Sequence, residues 1–287
     1  MALSVFISVD MEGIAGISTL RQCTRGTDDY AWGRQLMTQE ASAAVAGAAD
    51  AGARKIVVSD SHADMGNLLP HELDPRAELI QGAPKLPWSM LAGIDDGGSG
   101  GPFSAAVFVG YHAGAGTAAA ILDHTYTGAF TEVRVNGDAW NETHLNAALA
   151  GSFGVPVVFV SGDKACCAQA KERLPWVRTV AVKEGMGSRT GRSLSPSRAQ
   201  AGIRGLVREA IKAVEHGAQI WTPDPPFVLE VDTVNSNVAD AIALTPGSQR
   251  HGPRTVGFDA DDVATAYRAL LTWMALARHT APVSPIV

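Results

Sequence analysis

The chain has 287 residues, of which 46% are hydrophobic and 18% are charged, a composition typical of a soluble globular protein. Its formal net charge of −6 argues against a sequence-independent nucleic-acid binder, which needs a basic surface. The sequence contains no run of about 18 apolar residues that would predict a membrane span, and no basic N-terminal segment that would predict a signal peptide. We therefore expect a cytoplasmic protein without a nucleic-acid or membrane partner.

The first half of the chain alternates apolar runs with one long helical pattern. Residues 4–9 form an apolar run, and residues 28–51 are rich in alanine, with Gly52 at the position of a helix C-cap. Residues 55–59 and 105–110 are again apolar runs of strand length. Strand, helix and strand in this order predict the βαβ unit of a parallel sheet.

The second half continues with shorter strands and helices. Residues 130–135 alternate enough to predict a strand, and Asn136-Gly137 predicts a hairpin turn. Asn141 is a suitable N-cap for a helix over residues 142–150. The remaining predicted elements are strands at 155–160, 177–182 and 227–231, helices at 164–174, 197–215, 235–242 and 261–278, and a surface loop or linker at 185–195.

Taken together, these elements predict an α/β fold: an open, mostly parallel sheet flanked by helices, with a smaller C-terminal α+β lobe. We place the larger α/β domain at residues 1–195 and the smaller lobe at residues 196–287. The boundary follows the Gly/Ser/Arg-rich stretch that precedes Pro196. A single domain is the alternative.

Three of the apolar runs end at side chains that can bind a metal ion. Asp10 and Glu12 follow the first run. His62 follows the second run, and His112 follows the third. Because the carboxyl ends of parallel strands share one edge of a sheet, where such folds build their sites, these side chains are expected to converge. Two imidazoles and two carboxylates at one edge predict a bound metal ion and metal-assisted hydrolysis.

The ligand types favour zinc, with manganese, cobalt or iron as alternatives, because these ions accept imidazole and carboxylate ligands together. The absence of thiolate ligands from the set argues against a structural zinc. Asp10 and Glu12 lie two residues apart, so they face the same side of an extended segment. One of them could then bridge two ions.

Several short motifs resemble those of a known family. Ser-Val-Asp-Met-Glu-Gly at residues 8–13 is the most specific of them. The others follow in order: Met-Thr-Gln-Glu-Ala at 37–41, Asp-Ser-His at 60–62, Gly-Tyr-His-Ala at 110–113, Leu-Asn-Ala at 145–147, Val-Lys at 182–183 and Leu-Ser-Pro at 194–196. On these motifs the chain resembles the DppA-like zinc D-aminopeptidases of bacterial dipeptide-permease operons, over nearly its whole length.

The resemblance implies a site with two zinc ions per subunit. Asp10 resembles the carboxylate that bridges the two ions. The remaining implied ligands are Glu12 and His62 for one ion, and His112 and Glu142 for the other. Glu142 enters only through the resemblance, since a glutamate in the first turn of a helix is ordinarily a capping or solvated residue.

His124 matches an additional active-site histidine of the family, so the resemblance implies that it stabilises an oxyanion or protonates the leaving amine. A loop histidine without a part in the chemistry is the alternative. Asp60 is a candidate for orienting a ligand histidine, with a simple strand-end turn as the alternative. Lys183, Ser188 and Arg189 are candidates for binding a peptide carboxylate, since arginine suits bidentate pairing. A solvated basic loop is the alternative for all three.

The resemblance further implies an aminopeptidase that hydrolyses the N-terminal amide bond of short peptides or amino-acid amides. D-amino acids are the expected substrates, and an L-aminopeptidase or small-amide hydrolase on the same di-metal site is the alternative. A homo-oligomer is expected, with a decamer as the candidate assembly.

Two alternatives of another class stay open at this point. Residues 114–119 fit the dinucleotide-binding fingerprint, with Asp138 about 20 residues further on. That alternative makes the chain a nucleotide-binding protein, but it leaves Asp10, Glu12 and His62 unexplained. The other alternative is a non-catalytic peptide-binding protein, against which the complete set of ligands argues.

Overall fold

The computed structural model describes residues 3–97 and 101–280, which form two β-sheets and the helices that cover them. The strands are β1 Ser4–Val9, β2 Lys55–Asp60, β3 Glu78–Ile80, β4 Ala105–Tyr111, β5 Phe130–Val135, β6 Asp138–Ala139, β7 Val157–Asp163, β8 Arg178–Gly187, β9 Thr190–Ser193, β10 Phe227–Thr233, β11 Ser248–Arg250 and β12 Thr255–Ala260. The helices are α1 Leu20–Cys23, α2 Tyr30–Asp50, α3 Glu142–Ser152, α4 Lys164–Arg173, α5 Pro196–Ala213, α6 Ser236–Ile242 and α7 Val263–Thr280.

The larger sheet has seven strands in the order β3-β2-β1-β4-β7-β8-β9. All neighbours up to β8 pair in parallel, and β9 runs antiparallel to β8. At its centre, Val5 lies opposite Ile56 on one side and Ala105 on the other. Every residue of β1, β4 and β7 is buried, which explains why these strands appear in the sequence as apolar runs without alternation. The predicted α/β fold with a mostly parallel sheet is confirmed.

Helices cover both faces of this sheet. On one face α2 and α5 pack closely, since a Cβ on Gly47 would lie 2.5 Å from the backbone oxygen of Arg204. Side chains of both helices, such as Met37 and Ile203, share one core with that face. Helices α3 and α7 contribute to a second core on the opposite face. Within the two described ranges, no helix is long and apolar enough to cross a membrane, and the cytoplasmic location stays a prediction.

The second sheet has the order β11-β12-β10-β5-β6, and all its pairs are antiparallel. Its strands come from both sides of the predicted domain boundary, because β5 and β6 precede that boundary. Helix α5, which follows the boundary, packs on α2. The larger sheet with the helices that cover it is called the first layer, and the second sheet with α6 and α7 is called the second layer. The division into residues 1–195 and 196–287 stays a prediction, and residues 281–287 of the predicted lobe lie outside the described residues.

The prediction of a surface loop or linker at residues 185–195 is wrong. β8 continues to Gly187, and β9 returns beside it as an edge strand of the larger sheet. All four residues of β9 are exposed, so the sequence carries no apolar alternation that would indicate a strand. Strands β11 and β12 are likewise not predicted from the sequence.

Candidate metal centre

The five side chains predicted as metal ligands converge at the carboxyl-terminal edge of the larger sheet. Asp10 follows β1, His62 follows β2 and His112 follows β4. Glu12 lies in the loop after β1, and Glu142 is the first residue of α3. All five are buried, so they are shielded from bulk water. Their roles as ligands stay predictions, but the structure brings all five together.

The loop after β1, residues 10–17, is called the ligand loop because it carries two of the acidic side chains. Its backbone crosses the end of β4, where the N–H of Gly13 donates to the carbonyl of Gly110 at 2.8 Å. A Cβ on Gly13 would lie 1.9 Å from the backbone oxygen of Tyr111. Only glycine fits this approach, and the approach brings the acidic side chains of the loop next to the histidine that follows β4.

Interatomic distances join the five side chains into one cluster. His62 Nδ1 lies 2.9 Å from Glu12 Oε2 and 3.4 Å from Asp10 Oδ1. His112 Nε2 lies 3.4 Å from Asp10 Oδ2 and 3.3 Å from Glu142 Oε1. Asp10 therefore presents one oxygen to each imidazole and lies between the two halves of the cluster.

Each histidine near the site also has one ring nitrogen tied to a backbone carbonyl. His62 Nε2, His112 Nδ1 and His124 Nδ1 lie 2.8–2.9 Å from such oxygens. The carbonyls belong to Cys23, Ala113 and Leu122. Because a carbonyl can only accept, each of these ring nitrogens carries the proton. In the neutral imidazole, the other nitrogen then turns its lone pair towards the carboxylates, as a metal ligand does.

Two buried atoms of the cluster have no hydrogen-bond partner in the described part of the chain. They are Asp10 Oδ2 and His112 Nε2. A buried polar atom without a partner costs roughly 1–3 kcal/mol. A divalent cation would satisfy both atoms, since it accepts lone pairs from carboxylate and imidazole together. The donor set therefore fits a metal ion.

The electrostatic potential of the cluster also favours a cation. Burial by itself would lower the pKa of His62, but the adjacent Glu12 and Asp10 raise that pKa well above its ordinary value. Burial would also lower the pKa of His112, but Glu142 together with Asp10 and Glu12 raises it to about 10. Burial and then the charge of Glu12 raise the pKa of Asp10. A potential that favours a proton on each imidazole also favours a metal ion, which binds by displacing such protons.

His124 lies directly beside these five side chains. Its ring stacks on that of His112, with centroids 4.0 Å apart and an interplanar angle of 11°. Its Nε2 lies 3.9 Å from Glu142 Oε1, so it is near enough to share a metal ion with these two residues. Burial and the neighbouring His112 lower the pKa of His124. The neutral imidazole therefore predominates at pH 7.

Asp60 acts on the backbone near the site and not on a histidine ring. Its carboxylate accepts from the backbone N–H groups of Asn67 at 2.5 Å and Leu68 at 2.7 Å. Asn67 Nδ2 donates to Asp60 Oδ1 at 2.9 Å and to the carbonyl of His62 at 2.6 Å. Asp60 thus fixes the turn that carries His62, while the ring of His62 is oriented by other groups.

Lys183 lies on β8, beneath the ligand loop, and only 3% of it is exposed. Its ammonium group donates to the backbone carbonyls of Glu12, Ile14 and Ile17. Burial lowers the pKa of Lys183 to about 8. In contrast to the expectation from sequence, all three N–H donors are used by the backbone, and none is left for a peptide carboxylate.

Ser188 and Arg189 occupy the turn between β8 and β9 and line the cavity described below. Ser188 Oγ donates to Asp123 Oδ1 at 2.8 Å. The carbonyl of Ser188 accepts from the N–H of Leu122, also at 2.8 Å. The turn is therefore fastened to the segment that carries His124.

A cavity of about 450 Å³ opens onto the metal centre. Glu12, His62 and His124 are among its polar walls. Helix α7 of the second layer contributes Met274 and Arg278, which the sequence analysis missed because no local motif marks them. A cavity of this size suits a short peptide.

The dinucleotide-binding alternative has no structural support. No helix follows residues 114–119, because the described segment 112–129 is irregular throughout. Backbone N–H groups of this segment, which a phosphate would need, are paired with the side chains of Gln169, Thr125 and Asp123. The segment instead carries His124 to the metal centre.

An α/β sheet whose carboxyl edge gathers three histidines and three carboxylates beside an open cavity is the architecture of a metal-dependent hydrolase. Residues 3–272 match the sequence model of peptidase family M55, which is described as D-aminopeptidase. The chain belongs to this D-aminopeptidase family and is an aminopeptidase by class. The resemblance and the enzyme class predicted from sequence are confirmed.

Individual relatives agree with this family membership. The chain is 35% identical to the D-aminopeptidase of Bacillus subtilis (strain 168) over 279 residues, which cover 97% of this chain and 99% of that protein. Its structure matches the solved structure of the Zn-dependent D-aminopeptidase DppA from Bacillus subtilis, a self-compartmentalizing protease, with a TM-score of 0.91. That match has 34% identity and covers 97% of this chain and 99% of the other.

Proposed function

We propose that the chain hydrolyses the N-terminal amide bond of short peptides and amino-acid amides that begin with a D-amino acid, at a site that holds two zinc ions. The observation that carries the proposal is the buried cluster, in which carboxylate oxygens and imidazole nitrogens face one another beside the cavity. Membership of the D-aminopeptidase family supports the reaction, and the zinc dependence of the Bacillus subtilis relative supports the metal.

The two zinc ions would be held by the two halves of the cluster. Glu12 and His62 would hold one ion, His112 and Glu142 the other, and Asp10 would be shared. This division is supported by Asp10 presenting one oxygen to each imidazole. The chemistry that bound zinc supplies at such a site is activation of a water molecule and polarisation of the scissile carbonyl.

The protein's own proton carrier in this reaction would be His124. Its Nδ1 is tied to the carbonyl of Leu122 at 2.8 Å, so Nε2, which lies 3.9 Å from Glu142 Oε1, is the nitrogen that would face a substrate in the cavity. The neutral imidazole takes up a proton as water attacks and returns it to the leaving amine. Tyr126 assists by holding Glu142, since its backbone N–H donates to Glu142 Oε1 at 2.7 Å.

The proposal is tested by metal analysis combined with a panel of D- and L-aminoacyl amides and dipeptides. We expect roughly two zinc ions per chain and faster turnover of the D-series. Glu142→Ala is expected to lose one zinc ion and nearly all activity. Glu172→Ala, at an exposed position of α4, is the matched control and should change neither quantity.

Three results would each contradict a part of this proposal. A purified protein that binds no transition metal would exclude the site, and a Glu142→Ala variant that keeps both ions would exclude the ligand assignment. Turnover of the L-series alone would retain the metal centre but exclude the D-specific reaction.

Arg189 and Arg278 would bind the carboxylate of a peptide substrate. They line the same cavity from the two layers of the molecule, one on the β8–β9 turn and the other in the last turn of α7. Neither side chain has an ion-pair or hydrogen-bond partner among the residues that the structure describes. Guanidinium groups without a partner are suited to bidentate pairing with a carboxylate.

Substrates that differ only at the C-terminus test this subsite. We expect Arg189→Met and Arg278→Met to lower kcat/KM for a D-alanyl dipeptide by about tenfold or more, and to leave its C-terminal amide nearly unaffected. Arg192→Met is the matched control, because Arg192 lies on the same hairpin but is paired with Glu184. Equal losses on the free acid and the amide would contradict a carboxylate subsite.

We also propose that the chain assembles into a homo-oligomer, with ten subunits as the expected number. The near-complete coverage of a relative described as self-compartmentalizing supports this assembly. Light scattering on the purified protein should give a mass of roughly ten chains of 29.9 kDa each. A monomeric mass with full activity would contradict the proposal.

A further inference from the structure

The ligand loop carries two acidic side chains of the metal centre but belongs to no strand or helix. The hydrogen bonds of regular secondary structure therefore do not fix its conformation. Three of its carbonyls, those of Glu12, Ile14 and Ile17, turn to the interior, where these residues are almost fully buried. A buried carbonyl without a donor costs roughly 1–3 kcal/mol, so the conformation of this loop depends on what satisfies these oxygens.

One side chain donates to all three carbonyls. The carbonyl of Ile14 also accepts from the N–H of Ile17 at 3.2 Å, so it is the carbonyls of Glu12 and Ile17 that depend on this side chain. Lys183 Nζ donates to the oxygen of Glu12, to that of Ile14 at 2.9 Å and to that of Ile17 at 2.6 Å. An ammonium group has three N–H donors, and each of them has one acceptor here. Hydrogen bonds from a charged donor are about twice as strong as neutral ones. The ammonium group therefore contributes strongly to holding the backbone of the loop in this conformation.

Neighbouring strands hold Lys183 from both sides. It lies within β8, opposite Asp163 of β7 next to a register irregularity, and opposite Ser193 of β9. A second anchor comes from α2, where Glu40 Oε1 accepts from the N–H of Ala15 at 2.9 Å. Two backbone bonds also hold the loop to β4, from the N–H groups of Asp10 and Gly13 to the carbonyls of Val109 and Gly110, both at 2.8 Å. Of the two side-chain contacts, only that of Lys183 reaches the backbone of a predicted zinc ligand.

We propose that Lys183 is a positioning residue for the zinc centre, which fixes the carboxylate of Glu12 by holding the backbone carbonyl of the same residue. The inference rests on the proposed zinc function, because Glu12 matters here as a ligand. Lys183 makes no contact with substrate in this proposal. The effect of replacing Lys183 should therefore appear in zinc affinity and in kcat, and not in the KM of a substrate when zinc is saturating.

A double-mutant cycle with Glu12 tests the proposal. Zinc affinity is measured by competition with a chromophoric chelator for the wild type, Lys183→Met, Glu12→Gln and the double variant. We expect Lys183→Met to weaken zinc binding about tenfold or more in the wild type, and less than about twofold in the Glu12→Gln background. Such non-additivity arises only if the lysine acts through that glutamate.

If Lys183 only stabilised the fold, Lys183→Met would lower zinc affinity equally with and without Glu12. The stability of the metal-free protein should fall by the same amount in both backgrounds, so thermal unfolding without metal serves as the internal control. An equal loss of zinc affinity with and without Glu12, or an unaltered affinity in Lys183→Met, would overturn the proposal. If the methionine variant does not fold, the same cycle of zinc affinities is measured with Lys183→Gln, which keeps two N–H donors on a shorter side chain.

The wild type separates this inference from the proposed function. Failure of the wild-type protein to bind zinc or to cleave any peptide would exclude the function itself. Normal zinc binding and turnover in the wild type, together with an unaltered Lys183→Met variant, would exclude only the positioning role.

Discussion

Solvent reaches the three histidines of the metal centre to different degrees. The side chain of His112 is 1% exposed and that of His62 is 7% exposed, whereas that of His124 is 28% exposed. A metal ligand is held best where water cannot compete for it, while a group that exchanges protons with a substrate needs access to the cavity. At the scale of single residues, exposure therefore favours a role in proton transfer for His124 and a role as metal ligands for His62 and His112.

We predict that His124→Gln keeps the two proposed zinc ions and loses turnover. The amide retains hydrogen-bonding capacity but cannot take up and return a proton, so kcat should fall by roughly 100- to 10,000-fold with little change in KM. Steady-state kinetics and elemental analysis of the same sample measure both effects. His71→Gln, at an exposed loop position, is the control. Loss of one zinc ion in His124→Gln would show that this histidine is a ligand instead.

Individual residues of the site differ in how far the sequence could predict them. Asp10, His62 and His112 end apolar runs, and the shared edge of a parallel sheet is enough to bring them together. Glu142 opens a helix that reaches the same edge only through tertiary packing, so pattern alone gives no signal for it. Arg278 lies in the last helix, where nothing in its local sequence distinguishes it from a solvated residue.

Secondary-structure elements show the same contrast. The parallel strands of the larger sheet are predictable because they are buried on both faces and connected by helices. The second sheet is not, because its pairing joins distant segments, such as Val133 opposite Val231. Its short edge strand Ser248–Arg250 is too polar to stand out. Long-range pairing of weakly patterned strands is what the sequence alone does not determine.

The pKa of Glu40, which holds the ligand loop from α2, predicts a stability that depends on pH. Glu40 on α2 is 1% exposed, and burial raises the pKa of its carboxyl to about 7. Because the folded protein then binds this proton more tightly than the unfolded chain, the stabilisation is complete below pH 4.5 and is lost as the pH rises through 7. The shift corresponds to roughly 3 kcal/mol.

We therefore predict that Glu40→Gln removes this pH dependence. The glutamine keeps an oxygen for the N–H of Ala15 and has no proton to lose. Urea unfolding from pH 4.5 to 8 should show the stability of the wild type falling by roughly 3 kcal/mol relative to the variant. Glu209→Gln, at an exposed position of α5, is the control and should track the wild type. Parallel pH profiles for the wild type and Glu40→Gln would contradict the assignment.

At the scale of the whole molecule, a buried hydrogen-bond network connects the metal centre with the second layer. Tyr267 of α7 donates to Asn146 Oδ1 at 2.8 Å and accepts from the hydroxyl of Tyr126 at 2.6 Å. Asn146 lies one turn after Glu142 on α3, and the backbone of Tyr126 holds the Glu142 carboxylate. The second sheet and its helix thus help to fix a predicted ligand that belongs to the first layer.

We predict that Tyr267→Phe destabilises the fold by roughly 1–3 kcal/mol, because the carboxamide of Asn146 and the hydroxyl of Tyr126 each lose a buried partner. Tyr126→Phe should have a similar effect. The double variant should lose less than the sum of the two, since both hydroxyls belong to one network. Denaturant unfolding of the four proteins measures these differences.

Tyr30 provides the matched control for this cycle. It is also buried, and its hydroxyl donates to Asn67 Oδ1 at 2.7 Å on the opposite face of the larger sheet. Tyr30→Phe should therefore add to Tyr267→Phe within about 0.5 kcal/mol, as expected of distant sites. Additive losses for Tyr126 and Tyr267 as well would mean that the two layers meet at the metal centre without an energetic link between them.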